Sequence, residues 1–115
     1  MNEIKDVTKS ELEYLDHVYN YMNRSIGVRF IKNSDDLVDT WEEAQFELST
    51  KYQYEGTNEH IWDYYLVFCC NFNENDIDQR LRFKIEGDRF CCRKYFLFDQ
   101  SIKLFSKKDL IDQLF

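Results

Sequence analysis

Proline is absent from the 115 residues, and glycine occurs three times, at Gly27, Gly56 and Gly87. With so few backbone breakers, turns have to be built from Asn, Asp and Ser, whose side chains bond their own backbone. Those residues cluster at Asn33-Ser34-Asp35-Asp36 and again over 71–75. Scarce glycine also removes the G-x-G-x-x-G turn and the G-x-x-x-x-G-K-[ST] loop, and with them independent nucleotide hydrolysis. A serine hydrolase would need a G-x-S-x-G elbow, which is missing too. His17 and His60 are the two histidines, and Glu59-His60 lacks the second His of a zinc-protease helix. Asp63, Glu86, Asp88 and Asp99 with Arg93-Lys94 are the raw material of a metal-dependent nuclease. Nothing in their spacing makes them converge, as metal catalysis requires. The sequence reads as catalytically empty, with no cofactor or metal site and no small-molecule substrate.

Two further absences bear on location. No run approaches the roughly 20 apolar residues that span a bilayer. The opening Met1-Asn2-Glu3-Ile4-Lys5-Asp6 lacks the basic-then-apolar pattern of a secretion signal. The expectation is a cytoplasmic protein. Its four cysteines, Cys69-Cys70 and Cys91-Cys92, are then thiols rather than disulfides. Both pairs fall in strand-like runs, where successive side chains point to opposite faces. Each pair would offer one sulfur per face, a poor start for a tetrahedral zinc cage, so buried inert thiols are expected.

What the sequence does have is aromatic surface and an uneven charge. Apolar residues make up 43% and aromatics 17%, enough for one packed core at this length, so residues 1–115 are expected to form a single domain. The ring excess is more than so small a core absorbs, and surface aromatics in a patch mark partner sites. The net charge is −7. Residues 1–79 hold 6 basic and 17 acidic residues, a balance of −11, whereas 80–94 hold Arg80, Arg82, Lys84, Arg89, Arg93 and Lys94 against Glu86 and Asp88, a balance of +4. The acidic majority opposes direct duplex DNA binding, which requires phosphate neutralisation. The basic segment suits an acidic partner, although charges on a helix surface are often simply solvated.

Periodicity predicts a helix over 8–23, from Leu12, Leu15, Val18 or Tyr19, and Met22, and then a short strand over 26–32 at an edge or second position. Ser34-Asp35-Asp36 opens the clearest helix, with Leu37, Trp41, Ala44, Leu48 and Tyr52 as one apolar stripe and the Gly56-Thr57-Asn58 turn as its end. The apolar run from Tyr64 to Cys70 predicts a strand covered on both faces. A third helix carries Ile77, Leu81 and Ile85, with Gly87 as its C-cap. A third strand covers 90–98, and Ser106 with Asp109 three residues on opens a last helix carrying Leu110, Ile111, Leu114 and Phe115. That last helix either docks on the domain or offers Leu114 and Phe115 to a partner. The predicted fold is α/β, a small three-stranded sheet with helices packed against it in α-β-α-β-α-β-α order. Arg93-Lys94 is out of place inside the third strand, since alternation sends one cation to each face. One must snorkel or pair internally, with Asp63 or Glu86 as partners, or else anchor an interface.

The segment Trp62-Asp63-Tyr64-Tyr65-Leu66-Val67-Phe68, then Leu81-Arg82-Phe83-Lys84-Ile85-Glu86-Gly87-Asp88-Arg89-Phe90-Cys91-Cys92-Arg93-Lys94, resembles a middle component of the bacterial ABC-three-component systems. Such proteins carry a strand like W-x-x-Y-L-x-F and a helix ending K-x-E-x-D-x-F-x-C-R-K that runs into a final strand. The resemblance covers about residues 41–98 and is most specific over 85–94, with Glu86, Asp88, Phe90, Cys92, Arg93 and Lys94 in register. It implies a non-enzymatic adaptor that binds an SMC- or RecF-like ABC ATPase and a variable effector, often a nuclease, in defence against phages and plasmids. DNA would be met only through the complex. Together with the charge reversal, it makes Arg89, Phe90, Arg93 and Lys94 the candidate partner interface. Charge reversal of Arg93 and Lys94 is then expected to weaken assembly without unfolding the domain. The competing readings are a stand-alone acidic immunity or antitoxin protein that inhibits a basic toxin, a nucleic-acid accessory stacking bases on Tyr and Phe, and an enzyme.

Overall fold

Met22 and Asn23 decide the first part of the fold. Both have positive φ, 49° and 64°, and they join Tyr21 to its pairing partner Arg24. Two consecutive left-handed residues make the hairpin turn whose twist matches the flanking strands. The structure, a computed structural model, describes residues 3–54 and 61–115. Within them run β1 (Lys5–Asp6), β2 (His17–Tyr21), β3 (Arg24–Ile31), α1 (Ser34–Leu48), β4 (Asp63–Cys70), α2 (Gln79–Gly87), β5 (Arg93–Leu97) and α3 (Lys107–Leu114). The expected Gly56-Thr57-Asn58 turn and His60 lie outside the described residues.

The helix expected over 8–23 does not form. Its 3–4 spacing of apolar residues competes with a two-residue alternation over His17–Tyr21, in which Val18 joins one core and Tyr19 the other. Aromatic and β-branched residues fit a pleated surface better than a helix. The preceding stretch satisfies its backbone through long-range partners instead of helical bonds. The Glu47 carboxylate accepts the N–H groups of Glu13 (2.8 Å), Tyr14 (3.0 Å) and Leu15 (2.8 Å). Tyr52 Oη donates to Val7 O at 2.7 Å and accepts from Lys9 N at 2.9 Å. Arg29 Nη1 donates to Tyr14 O at 2.6 Å.

Among the described residues the sheet has five strands in the order β1-β2-β3-β4-β5, not three. The first three are antiparallel neighbours, and β3, β4 and β5 run parallel. The strand expected at an edge or second position, β3, is the central one. Element order is therefore β-β-β-α-β-α-β-α, still an α/β arrangement. The two crossovers, through α1 and α2, step in the same direction and pack on the same face, as crossovers of one hand must. There Leu37, Trp41, Ala44 and Leu48 of α1 and Ile85 of α2 cover Ile31, Leu66, Phe68 and Cys70. On the other face Leu110 and Ile111 of α3 cover Tyr19, Ile26, Val28, Tyr65, Val67 and Cys69. Each fully buried Leu contributes roughly 1.5–3 kcal/mol.

Asn33 caps α1 by accepting from Asp36 N (2.9 Å), and Ser106 caps α3 by accepting from Asp109 N (3.4 Å). The third helix starts later than expected. Residues Glu74–Asp76 form a short 3-10 turn, Ile77 is buried ahead of the helix, and Asp78 caps α2 through Arg80 N and Leu81 N. Gly87 is the last residue of α2 rather than its cap. Gly27 allows α1 to approach β3 closely, since a Cβ there would sit 3.2 Å from Leu15 Cδ2 and 3.3 Å from Leu48 Cδ1. The last helix docks rather than projecting. Phe115 meets the Tyr65 ring edge-on at 5.3 Å, with the Arg24 guanidinium 4.5 Å above the Phe115 ring centre. Among the described residues no helix is long and apolar enough to cross a membrane.

Candidate partner interface

The chain between α2 and β5 is held by one lysine. Alternation along β5 puts Lys94 and Phe96 on the α2 face and Arg93, Tyr95 and Leu97 on the α3 face, where Arg93 and Tyr95 lie against Tyr65. The Lys94 side chain is 0% exposed. Its Nζ donates to Phe90 O at 2.7 Å and Asp88 O at 2.8 Å and lies 3.3 Å from Asp88 Oδ1. A buried ammonium is tolerated when its protons and charge are all matched, and these three oxygens supply that. The partner of Lys94 is thus Asp88, not the Asp63 or Glu86 considered from sequence. Glu86 pairs instead with Arg82 at 3.2 Å.

The clasped loop is strained. Cys91 has φ 61° and Cys92 N bonds to Phe90 O at 2.7 Å. That is a three-residue γ-turn of the rare form with a positive central φ. Gln53 Nε2 donates to Cys91 O at 2.8 Å, and Asp88 Oδ1 accepts from Phe90 N at 2.7 Å. This last bond, with the Lys94 ammonium beside it, holds the Asp88 carboxyl below the usual carboxylate range. The third strand consequently begins at Arg93, three residues later than expected.

The turn also overturns the opposite-face reading of Cys91-Cys92. Both thiols belong to the α1/α2 side, Cys92 in the core and Cys91 packed against it, because the left-handed residue breaks strand alternation. Cys69 and Cys70 do alternate, one to each core. Burial pushes both of those thiols up to about 12. Cys91 differs: a hydrogen bond from the Cys92 thiol lowers its pKa, helped by nearby Lys94, and the same contact raises Cys92. All four are free thiols.

Around this loop the surface is basic and aromatic. Arg89, Phe90 and Arg93 are exposed, so the structure separates the four sequence-predicted residues into three at the surface and Lys94 beneath them. Trp62 (73% exposed) and Tyr95 (39%) stand beside them. Neither ring belongs to the four residues that the sequence marks as the interface, although alternation from Arg93 points to Tyr95. A cleft of ≈ 650 Å³ runs between Gln53, Asp63, Tyr64, Arg89, Cys91 and Arg93. It sits at the amino ends of β4 and β5, whereas α/β sheets hold nucleotides beyond the carboxyl ends, where strand order reverses. This sheet has no reversal. Asp63, Glu86 and Asp88 are among the residues that line the cleft, but Asp99 belongs to the far end of β5, where its N–H bonds to Phe72 O. Among the described residues no group of three or more His, Cys, Asp or Glu is arranged to hold a metal.

Those loop residues are the ones on which the sequence resemblance is most specific. Glu86 pairs with Arg82 one turn back on α2, Asp88 and the Phe90 carbonyl hold Lys94, Cys92 enters the core, and Arg93 opens β5. No curated protein and no solved structure matches the chain. A family model does, over residues 26–115, which takes in the β3-to-α3 part of the fold and the whole clasped loop. The chain therefore belongs to the ABC-three component (ABC-3C) system Middle Component 1 family.

Proposed function

We propose that this chain is a non-enzymatic adaptor that binds an SMC/RecF-like ABC ATPase, a nuclease effector, or both, in an anti-phage or anti-plasmid defence complex in the cytoplasm. The observation that carries the reading is the exposed Arg89-Phe90-Arg93 surface on a loop whose geometry is set from below by buried Lys94. Cations beside aromatic rings on a rigid support are the usual anchors of protein interfaces. Their +4 segment stands against a −7 chain, which favours an acidic partner surface and disfavours direct DNA contact.

The test is co-expression with the proteins encoded on either side, then affinity capture and light scattering. A stoichiometric complex with an ABC-type ATPase or a nuclease supports the adaptor. Arg89→Glu with Arg93→Glu should then weaken capture by about tenfold or more while leaving the fold intact. Capture of a small basic toxin would make the protein an immunity factor instead. A lone monomer in every combination would remove the adaptor reading.

A further inference from the structure

We infer that the outer edge of β5 accepts an added strand, an extended acidic segment of a partner protein. This deepens the adaptor reading and rests on it.

The two edges of the sheet differ. At one end β1 is two residues long, too short to template a strand. At the other, β5 offers five residues in unbroken register with β4, from Tyr65↔Arg93 to Cys69↔Leu97, about 17 Å of edge at ordinary strand rise. Among the described residues nothing pairs with its far side. Proteins protect such edges with proline, bulges, short strands or inward-pointing charges. The chain has no proline, and the continuous register leaves no bulge.

Lys94 is the one inward charge on the strand, and it is not a guard. A guarding lysine deters pairing because a new strand would bury an unmatched charge. Here the ammonium is already buried and matched by two carbonyls and a carboxylate of its own loop. Covering β5 would strip no water from it.

The chemistry beside the edge sets the occupant. Arg93, at the head of the strand, and Arg89, on the loop, make no ion pair among the described residues, because Asp88 is taken by Lys94 and Glu86 by Arg82. Phe90 and Tyr95 add exposed rings next to them. A strand laid here would gain main-chain bonds from β5 and find two cations followed by aromatic surface. Strand addition takes affinity from the main chain and specificity from side chains at the edge. A segment with carboxylates near Arg89 and Arg93 and an apolar residue near Tyr95 fits. A second copy of this chain fits less well, because its β5 would bring the same cations to an edge that already carries them.

The experiment is hydrogen exchange by mass spectrometry on the full chain, alone and in the complex captured from co-expression with its neighbouring system components. The expected result is slowed exchange at 93–97 in the complex only, with a partner peptide rich in Asp and Glu slowed in parallel. Arg89→Glu/Arg93→Glu should reduce capture about tenfold or more with its thermal midpoint unchanged, since both side chains are exposed. A complex that forms while 93–97 exchange as fast as in the free chain overturns the edge proposal and leaves the adaptor reading standing. So does slowed exchange against a helical or basic partner segment, or in a self-associated dimer of the chain alone. Failure of every component to form a complex removes the adaptor reading and this proposal together.

Discussion

Replacing Lys94 by Met tests whether the loop geometry depends on a buried charge or only on packing. Met keeps most of the aliphatic stem and removes the ammonium. Left behind are Asp88 O and Phe90 O, which lose bonds of 2.8 and 2.7 Å, and the Asp88 carboxylate, 3.3 Å from the lost nitrogen. Hydrogen bonds to a charged group contribute about 1.5–3 kcal/mol net, and breaking a buried pair from one side costs about 3–5 kcal/mol. Asp88 is 30% exposed on its side chain and can rehydrate, which places the expected loss at the lower end, about 2–3 kcal/mol. At an ordinary m-value for this size, the urea midpoint should fall by on the order of 1–2 M. Lys94→Glu, which puts a carboxylate at a buried position facing the half-buried Asp88, should fail to fold, so the expectation that reversing both cations leaves the domain folded holds for Arg93→Glu alone. The pH dependence has a definite sign. The folded Asp88 carboxyl lies below its ordinary value of 3.8, so its contribution is complete above that value and is lost as pH falls through the lowered one. The Lys94→Met variant should therefore lose less stability on acidification than the parent. A midpoint change under about 0.3 M urea, or an unchanged acid response, would refute the argument that this ammonium organises the loop.

Three further outcomes are expected. Met22→Asn, which puts a residue tolerant of positive φ at the first turn position, should stabilise the chain by about 0.5–1 kcal/mol in urea titration, and a loss of stability would contradict the hairpin assignment. Glu47→Gln should cost about 2 kcal/mol, because one of three accepted N–H bonds becomes a donor facing a donor. Exchange should quicken at 13–15, and unchanged exchange there would argue against Glu47 as the anchor. Iodoacetamide at neutral to mildly alkaline pH should modify Cys91 first and spare Cys69, Cys70 and Cys92 until unfolding. Peptide mapping that finds Cys69 or Cys70 labelled in the native chain would show the β4 thiols to be more open than the structure has them.

Where local chemistry and periodicity agree, the sequence is sufficient on its own. Ser34-Asp35-Asp36 ahead of the stripe from Leu37, the buried run of β4, and Ser106 ahead of Leu110 and Ile111 each carry their element's signal within a few residues, although α1 ends at Leu48 and the stripe's last member, Tyr52, belongs to a π-helical turn over Ser49–Tyr54. The charge reversal that marks the candidate interface is likewise a property of composition along the chain. Residues 8–23 differ, because two periods compete there and the helical one looks stronger. Strand and loop win through Glu47, Arg29 and Tyr52, residues far along the chain whose side chains replace the missing helical bonds. Hence the sheet has five strands and β3 lies at its centre, neither of which a local window contains. The same holds for Arg93 and Lys94. Alternation assigns them to opposite faces, but only the folded loop brings Asp88 and Phe90 back around the buried ammonium and leaves Arg93 outside. A buried charge is tolerated only where distant oxygens converge on it, and that convergence belongs to the tertiary structure.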